Sequence, residues 1–126
     1  LIDTGVLFDH LFVQMSRLGR PAFAFFTLYS FSVIVFAMIY RIMDRVTESS
    51  IFLIEGQPGA ISFTESLYFS LITMSTVGYG DITPASEALR VVVGIEVMVG
   101  IMLFLFGFAE IMRYARNPDA EGKTDT

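Results

Sequence analysis

Two apolar runs divide the chain. The first, Pro21 to Tyr40 (PAFAFFTLYSFSVIVFAMIY), holds 20 residues without a charge between Arg20 and Arg41. At about 1.5 Å per residue that is roughly 30 Å, the thickness of a bilayer's hydrocarbon core. The second, Val91 to Ala109 (VVVGIEVMVGIMLFLFGFA), carries one charge, Glu96. Arg90 precedes it, Glu110, Arg113 and Arg116 follow, and Asn117-Pro118 supplies a stop signal. Pro21 suits a first helical turn, where its missing N–H is no loss. A chain of 126 residues has too little else to bury two such helices inside a soluble core. Both are therefore predicted to cross a membrane, an outer helix over 21–43 and an inner helix over 88–116.

The connector has its own pattern. Gln57-Pro58-Gly59 marks a turn within an irregular stretch over 44–61. Ser62-Phe63-Thr64-Glu65 is a capping box, and Leu67, Leu71 and Met74 make a stripe at helical spacing. These predict a helix over 62–75 that is too short to span. It runs into Thr73–Asp81, TMSTVGYGD, a polar segment with two glycines in three positions. A short helix followed by irregular backbone between two spans is a re-entrant segment, tolerated at membrane depth where protein or water surrounds it. Upstream, Val6, Leu7, Leu11, Val13 and Leu18 lie among polar residues, and 1–20 is read as an interfacial amphipathic helix. Residues 117–126, NPDAEGKTDT, form a polar tail expected to be disordered.

Composition narrows the function. Hydrophobic residues make up 54% of the chain and charged ones 17%, and the net charge is -5. An acidic chain is no candidate for nucleic acid. With no cysteine there is no disulfide scaffold and no thiolate metal site. No HExxH, GxSxG or metal-ligand cluster supports an enzyme. The sequence starts at Leu1 rather than Met, which fits a fragment or a trimmed chain alike, and Asp3, Asp9 and His10 interrupt any signal-peptide core. His10 itself reads as a solvated or interfacial side chain. Arg17, Arg20, Arg113, Arg116 and Lys123 on the terminal side outnumber Arg41, Arg45 and Arg90 in the connector, which places both termini in the cytoplasm. The connector's Asp44, Glu48, Glu55, Glu65, Asp81 and Glu87 give it a net charge of -3, enriching cations at an outer mouth.

The chemistry sits in Thr76-Val77-Gly78-Tyr79-Gly80. Glycine allows backbone angles that other residues avoid, and alternating it with Thr, Val and Tyr lets successive carbonyls point toward one axis. A column of carbonyl oxygens is a ligand set for a dehydrated hard cation, and several copies of the chain must surround the axis to replace a hydration shell. A phosphate-cradling loop would need a strand before it and a Lys within it, and neither is present. The string Thr73-x-x-Thr76-Val77-Gly78-Tyr79-Gly80-Asp81, behind a capped short helix and between two spans, resembles the selectivity filter of tetrameric potassium channels. The resemblance covers about Pro21 to Arg116.

That resemblance implies an all-α membrane protein: two transmembrane helices with a re-entrant pore helix and filter loop, assembled as a homotetramer in the bilayer of the plasma membrane. It implies K⁺ as the permeant ion, with no organic cofactor. The ion-binding segment would be Thr76, Val77, Gly78, Tyr79 and Gly80, with stacked sites made by the carbonyls of Thr76 to Tyr79 and the Thr76 hydroxyl. The pore helix would aim the partial negative charge of its C-terminal end at a water-filled cavity. Asp81 would bond to Tyr68 on the pore helix. Some family members pair this Asp with a Glu on that helix; here Ile72 stands in its place, so inactivation governed by such a pair does not carry over.

Along the inner helix, Gly100 falls where similar channels carry a hinge glycine; Gly94 and Gly107 read as packing glycines, and no Pro-x-Pro kink is present. Ile101, Phe104, Phe108 and Met112 form one stripe, assigned to the cavity and lower constriction; packing against the outer helix or lipid competes for Phe104. An acid inside a span should face protein or water, and Glu96 is read as filter support: a protonated or hydrogen-bonded carboxyl that fixes the pore helix, with Ser70, Thr73 or Ser75 as partners. The functional expectation is a passive K⁺-selective pore. A cation channel with relaxed selectivity and a pore subunit of a K⁺ transporter are the alternatives. The gating stimulus is unread, and a regulatory domain outside these residues is left open.

Overall fold

The computed structural model describes residues 4–116, with the side chains of 14–18 and 20 left out. The tail over 117–126 lies outside the described residues, as do the side chains of Arg17, Leu18 and Arg20. The chain is mostly helical, in the order α1 (Thr4–Val46), β1 (Phe52–Ile54), β2 (Gln57–Gly59), α2 (Phe63–Met74), β3 (Ile82–Pro84) and α3 (Glu87–Arg116). Two stretches are long and apolar enough to cross a membrane, Pro21–Val46 and Glu87–Arg116.

The break read at Pro21 is absent. α1 runs through it as one helix of 43 residues, about 65 Å at helical rise and about twice a hydrocarbon core. Proline removes one backbone hydrogen bond, whereas ending a helix frees several carbonyls at once, so continuity costs less where water is scarce. At its far end α1 continues to Val46, three residues past the boundary read from the sequence, and Thr47 N–H closes on Met43 O at 3.1 Å.

The connector between α1 and α2 holds two short strands, β1 and β2, which join β3 beyond α2 in a three-stranded antiparallel sheet ordered β2-β1-β3. The turn is not at Gln57-Pro58-Gly59, which is β2 itself, but at Glu55-Gly56, with φ of 50° and 78°. Two consecutive positive φ values match the right-handed twist of a two-residue hairpin. Pro58 is accommodated because β2 is an edge strand. β3 follows the glycine segment and pairs with β1 in the register Phe52↔Pro84, Leu53↔Thr83, Ile54↔Ile82.

Contacts group the chain into two compact units, Leu28–Leu103 and the described parts of Leu1–Thr27 with Phe104–Thr126. The first holds a core of Tyr40, Ile51, Phe52, Ile61, Phe69, Ile82 and Leu89. Tyr40, Phe52 and Phe69 meet edge to face, with ring centroids 5.2 to 6.1 Å apart. In the second unit Phe25 stacks edge-on with Phe104 at 6.4 Å and lies against Gly107.

Candidate functional site

The capping box forms as the sequence requires. Glu65 N–H donates to Ser62 Oγ at 3.2 Å and Ser62 N–H to Glu65 Oε2 at 2.7 Å. Ser62 and Ser75 are caps, so α2 is one residue shorter at each end than 62–75. The residue before the cap is clamped from α1: Ile61 N–H donates to Asp44 Oδ2 at 3.0 Å, and Arg41 Nη1 donates to Ile61 O at 2.6 Å. Sequence reasoning counted Arg41 and Asp44 only as flanking charges. Their spacing of three on a helix, one basic and one acidic, was the signal that they share a face.

Thr76–Gly80 continues from the end of α2. Thr76 N–H bonds to Thr73 O at 3.0 Å, and Val77 and Gly78 N–H both bond to Ile72 O, at 2.9 and 3.1 Å. Ile72 is itself buried, an apolar plug whose carbonyl anchors the segment. φ is +60° at Thr76, +52° at Gly78 and +84° at Gly80, while Val77 and Tyr79 stay negative. Only glycine adopts the positive values freely. Thr76 holds its value as a non-glycine residue, a strained angle kept by three adjacent N–H bonds. Val77 and Tyr79 side chains are 51% and 72% exposed in the single chain.

The far end is pinned by the sheet. Glu55 N–H donates to Asp81 O and Ala85 N–H to Ile51 O, each at 2.7 Å, extending the β1–β3 ladder at both ends. The Tyr68 hydroxyl, half-buried on α2, lies against the Asp81 carboxylate. That hydrogen bond, then burial and the carboxylate's charge, push the phenol above its ordinary range. Asp81 Oδ1 is buried with no hydrogen-bond partner among the described residues.

α3 docks on α2 through positions four apart on each helix. Glu96 meets Ser70 through a hydrogen bond between Oε1 and Ser70 Oγ. One turn later a Cβ on Gly100 would stand 2.6 Å from Met74 O and 2.9 Å from Met74 Cγ. The absence of a side chain at Gly100 is thus what lets the two helices approach. Of the partners considered for Glu96, Ser70 is the one it bonds; the Ser75 hydroxyl turns back to Leu71 O at 2.7 Å, and Thr73 makes no bond to the acid. The partner not foreseen is Tyr40 of α1, whose hydroxyl donates to Glu96 Oε2. Its signal was present: two polar groups in opposite apolar spans each need a partner, and each can serve the other. Glu96, Tyr40 and Ser70 are all fully buried.

Along α3, Ile101, Phe104, Phe108 and Met112 are exposed in the single chain, from 42% at Met112 to 64% at Phe104. Phe104 also touches Phe25 of α1, so it makes the outer-helix contact that competed with a cavity role.

The family comparison matches a model described as ion channel to residues 25–117, most of the chain. The chain belongs to the ion channel family. As a channel with two apolar helices it is a membrane protein. It is 37% identical over 101 residues to the voltage-gated potassium channel Kch of Escherichia coli, covering 75% of this chain and 22% of that protein. It is 32% identical over 75 residues to the inward rectifier potassium channel Kirbac3.1 of Paramagnetospirillum magnetotacticum, covering 60% of this chain and 23% of that one. Two pore potassium channel c of Oryza sativa matches at 42% over 48 residues, covering 38% and 9%. The channel therefore spans less than a quarter of the length of each of these relatives.

Proposed function

We propose that this channel is a passive, K⁺-selective pore assembled from four copies, in the plasma membrane with both termini cytoplasmic. The observation that carries this reading is the alternating backbone of Thr76–Gly80, tethered at Ile72 O on one end and by the β1–β3 ladder on the other. Carbonyls of Thr76, Val77, Gly78 and Tyr79, with the Thr76 hydroxyl, would form stacked rings around a shared axis, and each ring would exchange water ligands for protein oxygens. Gly80 completes the turn to Asp81. Tyr68, Asp81 and Glu96 would support the segment from behind. Gly100 would be the hinge of α3, and Ile101, Phe104, Phe108 and Met112 would line the path below the segment, where apolar side chains close a pore by excluding water. The relatives named for potassium support the choice of ion. The chain belongs to a channel family, so no reaction is assigned.

Reconstitution in liposomes tests it. A K⁺ gradient should drive flux that a matched Na⁺ gradient does not, and the reversal potential in mixed K⁺ and Na⁺ should follow K⁺. A reversal potential midway between the two would point to the relaxed cation channel, and absence of passive flux to a transporter subunit.

A further inference from the structure

Two acceptors compete for one serine proton beside Glu96. Its carboxyl is fully buried. Among the described residues, the groups that face it are Ser70 from α2 and Tyr40 from α1, with Tyr29 of α1 the further titratable side chain that interacts with it, and none of these is a cation. Tyr40 hydroxyl donates to Oε2, and Ser70 Oγ contacts Oε1. Ser70 Oγ is also 2.9 Å from Val33 O on α1, an acceptor with no proton to offer. A serine hydroxyl has one proton. If Ser70 donates to Val33 O, the proton between Ser70 and Oε1 must belong to Glu96. An ionised Glu96 would need that serine proton for itself, giving up the Val33 bond and leaving a buried charge without a counter-ion.

We propose that Glu96 is a positioning residue that works as the neutral acid. Its proton completes a one-way chain, Tyr40 O–H to Oε2, Oε1–H to Ser70 Oγ, Ser70 O–H to Val33 O, which ties α2 to both spans. α2 in turn carries Ile72 O, the anchor of Val77 and Gly78. The consequence for conduction rests on the filter reading above; the proton assignment does not.

Glutamine reproduces this chain, its NH₂ donating to Ser70 and its carbonyl accepting from Tyr40, whereas it cannot replace a carboxylate that accepts on both oxygens. Infrared spectra of the full chain in liposomes at neutral pH should show a buried carboxylic-acid C=O band that is absent from Glu96→Gln. Lack of that band in the wild type overturns the proton assignment. K⁺ flux of Glu96→Gln should stay within about twofold of wild type, while Glu96→Val, which orphans the buried Tyr40 hydroxyl and unties Ser70 from α3, should lose about tenfold. A Gln variant as impaired as Val overturns the neutral form, and a Val variant with full flux overturns the positioning role. Should Val fail to assemble, the infrared band and the Gln variant still decide. A wild type that passes no K⁺ yet shows the band defeats the filter reading and leaves the proton assignment standing.

Discussion

Single residues in this chain act through contacts that their type alone does not reveal. Gly100 reads as a hinge and Gly107 as a packing glycine in the sequence, yet both are packed: a Cβ at Gly100 would meet the Met74 carbonyl at 2.6 Å, and one at Gly107 would meet the Phe25 ring at 2.3 Å. Backbone at the end of a capped helix cannot step aside, whereas a ring can be exchanged. Gly100→Ala should therefore cost about 1–3 kcal/mol, the range for overpacking, and no second substitution of Met74's side chain should recover it fully. Gly107→Ala should be largely rescued by Phe25→Leu. Thermal unfolding of the purified channel separates the two cases. Tyr68 makes a different residue-scale forecast. Its phenol is held above the ordinary value of about 10 by Asp81, so the bond is intact below that value and is lost as pH rises through the raised one. External alkalinisation should reduce current in the wild type within that window, and Tyr68→Phe should lack this component because it has no proton to lose.

At the scale of elements, helices were legible and the sheet was not. Long apolar runs announce spans by length, and the capping box at Ser62 and Glu65 forms in the structure as the sequence pattern requires. β1, β2 and β3 are three residues each, too short for alternation to register, and the β1–β3 pairing joins residues some thirty positions apart. Glu55-Gly56 carried the turn, but Glu is a poor residue for positive φ, so the more obvious Pro-Gly nearby drew the assignment. The same misfit makes a test. Glu55→Asn, a residue that tolerates φ of 50°, should stabilise the hairpin by about 0.5 kcal/mol, and Gly56→Val should destabilise it by about 1–2 kcal/mol. Both are measured as shifts of the thermal midpoint. Because the ladder ends on Asp81 O, Gly56→Val should also loosen the exit of the glycine segment, seen as faster amide exchange at Glu55. The Tyr40–Glu96 pair marks a further limit: the sequence shows that each polar group needs a partner, but which one depends on how α1 and α3 are rotated.

For the whole molecule, the proposed four-copy assembly accounts for surfaces that a single chain leaves open. Tyr79 is 72% exposed and Val77 51%, although both flank a segment whose backbone is tethered at either end. One copy offers a single line of carbonyls to an ion that needs a surrounding shell. In the proposed assembly these side chains would be covered by neighbouring copies and the carbonyl lines would face each other. The same completion applies to α3, where Phe108 is 59% exposed. In a membrane an exposed phenylalanine on a pore-forming helix faces either lipid or the pore. If it faces the pore, rings from each copy narrow the path and empty it of water, and the closed state is held by that dewetting. Phe108→Ala removes the rings and leaves a wider, wettable passage, so single-channel recordings should show open probability rising several-fold with K⁺ over Na⁺ selectivity unchanged, since the filter residues are untouched. Lipid-facing rings would give the opposite signature: a slightly less stable protein whose gating matches the wild type. Recording Phe108→Ala beside Phe106→Ala, a residue 66% exposed two positions away on another face of α3, distinguishes a pore-lining ring from a merely exposed one.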